Sequence, residues 1–402
     1  MTRTPARADW PQPFPPEEYA TRRRKVAEAM AAQELDAIFV TNPADICYLT
    51  GYDMIWYHLR CLTGCLLTAG DARLVFFDTP MHRTMVELTP GLDGVVWLNA
   101  TVPHGNAGLI ATAARDALGT GARIGVQPWG YAPHGRTIET LRAALEAAGL
   151  ATADASGLIE LIRLIKSPAE VACIRDAARI ADIAMTRARE ALRPGLLETE
   201  LQGIIMAAMM AEGGGDPAIR CMIGAGPRAG THHSPAQHRP IGQDELVFID
   251  FCASLHRYHV NLNRTFAVGT VDPRWHDLMD KAAATIDRIT EGFGPGMRFS
   301  DVKRIADDWT DAQGLRDKVW VVGGYALGIA LPPDWVGEIW VGPRYGSPDC
   351  VLEPGMVFNF EGQFDDTEGW AGGTGAAYIE TLLVTESGIE VLSTLPRGLV
   401  TV

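Results

Sequence analysis

The sequence predicts two domains of different architecture, an α/β domain over residues 1–160 and an α+β domain over residues 161–402. Three observations carry this expectation. A chain of 402 residues is longer than one ordinary core organises. Through the first half, short strand-like runs alternate with helix-period patterns, as in an α/β layer structure. In the second half, longer strand-like segments are grouped around capped helices, as in an antiparallel sheet with helices packed on one side.

Residues 1–15 are Pro-rich and read as an extended arm, after which Pro16 opens an amphipathic helix with Glu17 and Glu18 in its first turn. Strands are expected at 36–41, 61–68, 73–78, 94–99 and 123–127, and helices at 106–118 and 135–148. GTGARIG (119–125) lacks the strand-before, helix-after setting of a phosphate loop. In the second half Ser167 caps a long helix, Pro168 takes its first position and Glu170 completes a capping box. A second capped helix is expected to start at Thr199 with Gln202 three residues on, and further helices at 275–292 and 299–313. Strands are expected at 246–254, 258–268, 318–322, 356–363 and 377–385.

The first two of these strands form a hairpin turning at His256 and Arg257. Period-2 order puts Asp250, Cys252 and Ser254 on one face of the first strand, and Asn261, Asn263 and Thr265 on one face of the second. An Asp inside an apolar strand is costly to bury unless something pairs with it, which makes Asp250 a functional candidate. The alternative is a solvated or structurally bonded Asp.

Apolar content of 47% with 21% charged residues fits a globular protein. A net charge of −14 argues against nucleic acid or an anionic membrane surface as partner, and is compatible with cationic or zwitterionic small molecules. The opening MTRTPARADWPQPFPP has no apolar core, so a signal peptide is not expected, and no run of about 18 apolar residues marks a membrane span. The seven cysteines are scattered, and Cys61-x-x-x-Cys65 has no matching second pair, so buried reduced thiols in a cytoplasmic protein are expected rather than a zinc site. Residues 51–60, GYDMIWYHLR, concentrate aromatics with Arg60, a residue type that grips carboxylates at two points; a surface loop packed on its own domain is the alternative.

Taken in order, the capped KSPAE helix, the hairpin with Asp250, GYALGI (324–329), LEPGMVF (352–358) leading to Glu361, and YIETLLVTE (378–386) resemble the creatinase/prolidase/methionine-aminopeptidase (M24) family. The resemblance implies a creatinase-type N-terminal domain and a catalytic domain of the pita-bread fold. Peptidases of this family hold two divalent metals on two Asp, one His and two Glu. Matched residue by residue, Asp250, Glu361 and Glu380 stand at ligand positions, Asn261 replaces the second Asp, Tyr325 replaces the His, and Pro332 stands where a further His is found. An amide and a phenol are poor ligands for hard dications, so no metal and no other cofactor is expected. A pocket with three carboxylates and no metal would raise at least one pKa and suit an amidinium or guanidinium substrate.

The resemblance to creatinase implies a catalytic histidine at His233, in the run THHSP, with His232 as the fallback. It implies that Tyr57 and Arg60 hold the substrate carboxylate of a partner subunit, hence a homodimer with composite sites. Asn263 stands where creatinase carries a Glu, and GYALGI followed by PPDW (332–335) is similar to the ectoine hydrolase branch. The expected activity is metal-independent hydrolysis of a C–N bond in a small zwitterionic amidine or guanidino compound. The expected catalytic residues are His233, Glu361, Glu380 and Asp250, with Tyr57, Arg60, Asn261, Asn263, Tyr325 and Trp335 as substrate contacts. Two alternatives stay open: a metal-dependent Xaa-Pro dipeptidase or small-zwitterion lyase, and a non-catalytic binding module.

Overall fold

The computed structural model describes residues 12–53, 61–99, 106–130, 132–230, 232–337, 339–342, 347–366 and 374–402. It divides into two compact units, Met1–Arg163 and Leu164–Val402. Tyr57 and Arg60 lie outside the described residues.

The N-terminal unit contains α1 (Pro16–Ala32), β1 (Ala37–Val40), α2 (Pro43–Thr50), β2 (Gly64–Thr68), β3 (Leu74–Asp78), α3 (Arg83–Leu88), β4 (Gly94–Trp97), α4 (Asn106–Leu118), β5 (Arg123–Val126), α5 (Gly135–Ala147) and β6 (Ala151–Asp154), with α6 (Leu158–Leu164) following. The sheet order is β4-β3-β2-β1-β5-β6. β2 runs antiparallel to β1 and β3 while the remaining pairs are parallel, so the sheet is mixed. Phe39, Phe77, Ile110, Ile124 and Leu141 meet in one core. The pattern of residues 36–127 did not reveal α2, because eight residues give barely two turns of periodicity. Its chemistry is local: Asn42 accepts from the Ala44 N–H at 3.0 Å, Pro43 opens it, and Gly51 (φ 75°) closes it.

The C-terminal unit contains α7 (Pro168–Ala191), α8 (Glu198–Ala211), β7 (Met222–Ala225), β8 (Glu245–Leu255), β9 (Tyr258–Val268), α9 (Pro273–Gly292), α10 (Phe299–Ala312), β10 (Val319–Tyr325), β11 (Trp340–Val341), β12 (Val357–Asp366), β13 (Thr374–Thr385), β14 (Gly388–Val391) and β15 (Val400–Thr401). Its sheet runs β11-β10-β12-β13-β9-β8-β7, with β14 on β13 and β15 on β9. The Ser167 capping box forms as expected. The second helix starts slightly earlier than expected: Leu197 is the N-cap, and the Glu200 carboxylate accepts its N–H at 3.0 Å, which leaves Thr199 inside the helix. The β8–β9 hairpin turns on His256 and Arg257, both left-handed (φ 49° and 69°), the backbone a two-residue turn of matching twist requires.

The two faces of this sheet differ sharply. Phe358, Phe360, Phe364, Tyr378 and Leu382 belong to a core shared with Leu278, Met279 and Ile286 of α9 and Phe299 of α10. Each such buried side chain contributes about 1.5–3 kcal/mol, so the helix-packed face anchors the strands. The alternate residues point to the other face, which is polar and carries the site.

Candidate active site

One cross-strand row organises the polar face. Gly323 of β10 pairs with Glu361 of β12, Glu361 with Ile379 of β13, Ile379 with Asn263 of β9, Asn263 with Asp250 of β8, and Asp250 with Met222 of β7. Directly opposed residues share a face, so Asp250, Asn263 and Glu361 project to the same side. Period 2 adds Asn261 from β9, and Asn359, Gln363 and Asp365 from β12.

Glu380 does not belong to this group. It pairs with Phe360, on the helix-packed face, and Ile379 holds the position that faces the site. A single-residue offset along a strand sends the side chain to the opposite face. Glu380 is fully buried, with its Oε1 accepting from Arg264 Nη2 at 2.6 Å and Arg397 at 3.9 Å. The expectation that Glu380 holds substrate is therefore corrected: it serves a buried ion pair. Burial raises its pKa, and Arg264 and Arg397 oppose that rise.

Hydrogen-bonded amides join the two remaining carboxylates. Asn261 Nδ2 donates to Asp250 Oδ1 at 2.8 Å, and Asn261 Oδ1 accepts from Asn359 Nδ2 at 3.3 Å. The same Asn359 amide donates to Glu361 Oε1 at 2.7 Å, and Gln363 Nε2 donates to Glu361 Oε2 at 2.8 Å. Asn261 and Asn263, expected as substrate contacts, both lie beneath the surface and are engaged with the protein, Asn263 through Nδ2 to the Ile249 carbonyl at 2.9 Å. They shape the site without lining it.

Above this network lies a cavity of about 620 Å³ lined by Asp250, Glu361, Gln363, Tyr325, Asp334, Trp335, His232, His233 and Arg220, among others. Trp335 Nε1 donates to the Tyr325 hydroxyl at 3.1 Å, which fixes both rings. Burial, opposed by the Asn261 hydrogen bond and reinforced by the Glu361 charge, pushes Asp250 up to about 8. At neutral pH it is a carboxylic acid able to donate a proton. Burial, then the charges of Glu361, Cys252 and Asp250, hold the Tyr325 phenol protonated.

The two adjacent histidines differ. His233 is exposed to the cavity, edge-on to Trp320 at 5.2 Å, and burial followed by His232 lowers its pKa. His232 is buried, tilted against Trp320 at 4.4 Å, with Nε2 2.7 Å from Asp365 Oδ1. Among the described residues, neither its buried Nδ1 nor Gln363 Oε1 has a hydrogen-bond partner. An imidazole oriented by a carboxylate through one nitrogen is the arrangement of a general base acting through the other. Asp365, Asn359 and Gln363 escaped the sequence reading, although the run NFEGQFD (359–365) signals them: polar residues recur every second position around Glu361. His259, a near neighbour in sequence, is structural: Nδ1 meets the Arg257 carbonyl at 2.8 Å, Nε2 accepts from Ala218 N–H at 2.9 Å, and burial lowers it to about 4.

The model of metallopeptidase family M24 matches residues 172–386, and that of the creatinase/prolidase N-terminal domain matches residues 22–165. The chain belongs to the metallopeptidase M24 family. It thus joins a creatinase-type α/β domain to a pita-bread domain within a family of hydrolases. It is similar to ectoine hydrolase of Halomonas elongata, 28% identical over 403 residues, covering 96% of this chain and 98% of that one. Among solved structures, prolidase from Thermococcus sibiricus superposes with a TM-score of 0.82 at 20% identity, covering 96% of this chain and 99% of that one. Dipeptidase PepE from Mycobacterium ulcerans does so with a TM-score of 0.80 at 22% identity, covering 97% and 99%. At those identities the two structures show the fold alone.

The family name implies metal, and the residues here do not fit a metal pair. The acids reaching the sheet's site face are Asp250, Glu361 and Asp365, and Asp365 is turned to His232. Ile379, Asn261 and Tyr325 offer a hydrocarbon, an engaged amide and a protonated phenol. Among the described residues, no group of three or more His, Cys, Asp or Glu is arranged to hold a metal ion.

Proposed function

We propose that this chain is a metal-independent hydrolase that cleaves a C–N bond of a small zwitterionic amidine or guanidino compound, a cyclic amidine such as ectoine being the first candidate. The observation that supports it most is the pairing, on one cavity wall, of Asp250, whose carboxyl burial pushes up to about 8, with Glu361, held at both oxygens by the Asn359 and Gln363 amides. Two nearby carboxyls in such different surroundings divide the roles of acid and charge acceptor in this reading. Glu361 binds the amidinium N–H groups, and Gln363 Oε1 accepts another. Trp335 and Tyr325 cover the planar face. His232, oriented by Asp365, takes a proton from water, which adds to the amidine carbon. As the tetrahedral carbon collapses, the C–N bond breaks and Asp250 supplies a proton to the departing nitrogen, giving an amide and an amine. His233, at the open wall, is the second candidate for the proton transfer. Similarity to ectoine hydrolase over nearly the full chain supports the substrate class.

The test is hydrolysis of ectoine, hydroxyectoine and creatine by the purified, chelator-treated chain, followed as the gain of one water by mass spectrometry. Turnover that survives chelation agrees with the proposal. More than one equivalent of Mn, Fe or Zn, with activity lost on chelation, refutes it and favours peptide-bond cleavage, the activity named for the PepE and prolidase relatives. The homodimer is part of the proposal and is tested by light scattering.

A further inference from the structure

We infer that Arg220 is the carboxylate-recognition residue of this cavity, so that one chain supplies groups for both ends of a zwitterion. The inference rests on the proposed function and adds the residue that would select its substrate. Arg220 lines the same cavity as Asp250, Asp334 and Glu361, two residues before Met222, which pairs with Asp250. Its side chain is exposed and has neither a hydrogen bond nor an ion pair to any described residue. Other arginines of this unit are committed: Arg264 to Glu380 at 2.6 Å, Arg239 to Glu245 at 2.6 Å, and Arg228 to Glu198.

An arginine that shares a cavity with three carboxyl side chains, yet pairs with none, keeps its guanidinium fork available. That fork is always charged and matches a carboxylate at two points. Among the described lining residues it carries the only permanent positive charge. The chain as a whole is acidic, with a net charge of −14, so an anionic group is drawn to this cavity only by a local cation. Glu361 provides the opposite pole. A ligand with an amidinium at one end and a carboxylate at the other satisfies both, and loses affinity when either is removed.

The experiment compares the full chain, Arg220→Gln, Arg220→Lys and Arg60→Gln on two matched pairs: ectoine with its carboxamide, and glycyl-proline with glycyl-prolinamide. Turnover and calorimetric binding are measured, with melting temperature as a check that the exposed substitution leaves the fold intact. The unaltered chain is expected to favour carboxylate over carboxamide by about 10- to 100-fold, the worth of a charged hydrogen-bonded contact. Arg220→Gln should abolish that preference through KM with kcat little changed, and Arg220→Lys should restore part of it. Retention of the preference in Arg220→Gln, or its loss in Arg60→Gln instead, overturns the inference. If only the dipeptide pair binds, the proposed function fails while the dipeptide preference still decides Arg220. If none of the four binds, both fail.

Discussion

Replacing Asp250 by asparagine separates a protonated acid from an ionised one in a single measurement. Asp250 is buried and its carboxyl is pushed from 3.8 to about 8, mainly by burial. The sign follows from proton binding. Between these two values the folded chain holds a proton that the unfolded chain has lost, so rising pH favours unfolding. Each pH unit across that interval costs about 1.4 kcal/mol, which amounts to roughly 4 kcal/mol at pH 7. The amide introduced by Asp250→Asn would mimic the protonated acid: its oxygen still accepts from Asn261, and nothing remains to ionise. In urea unfolding from pH 4 to pH 9, Asp250→Asn is expected to match the parent near pH 4 and then gain on it. The gain should rise by about 1.4 kcal/mol per pH unit and level off above about pH 8. The same variant should lose about 10²- to 10⁴-fold in kcat, because an amide cannot deliver the proton. A stability difference that is flat from pH 4 to pH 9 would show Asp250 ionised in the folded chain, and the reasoning about acid and base roles would fail with it.

His232→Ala should lower kcat by about 10²- to 10⁴-fold, and Asp365→Asn by less, with the parent's KM retained in both; a full-rate His232→Ala beside an inactive His233→Ala would move the proton transfer to His233. Arg264→Met leaves the buried Glu380 carboxylate without its partner and should cost about 3–5 kcal/mol in urea unfolding, much of it recovered in the double variant with Glu380→Leu; no recovery would show that the pair is not the cause. Native-state thiol titration should label Cys350 first, since the other six cysteines are buried, with the Cys221 thiol pushed up to about 12 by burial and Asp250; early labelling of Cys221 or Cys252 would contradict that burial.

The sequence by itself determined the family and most of the longer elements, while short ones such as α2 were not legible in it. Local chemistry suffices for the Ser167 capping box, the two-residue turn at His256 and Arg257, and the alternation that places Asp250 and Asn263 on one face, because each depends on residues within a few positions. Loss of ligand chemistry at Asn261 and Tyr325 was legible for the same reason: side-chain type alone decides it. Strand register is a relation between distant segments, and only the tertiary structure decided that. It placed Ile379 rather than Glu380 opposite Glu361, and so turned an expected substrate carboxylate into the partner of Arg264. It also brought Asp365 to His232 across 133 residues of chain, and left Arg220 in a cavity of carboxyls with its charge unclaimed by any described residue. Asp250 needed both: the sequence marked it as an acid too costly to bury charged, and the surrounding strands supplied the burial and the neighbouring Glu361 that keep it protonated.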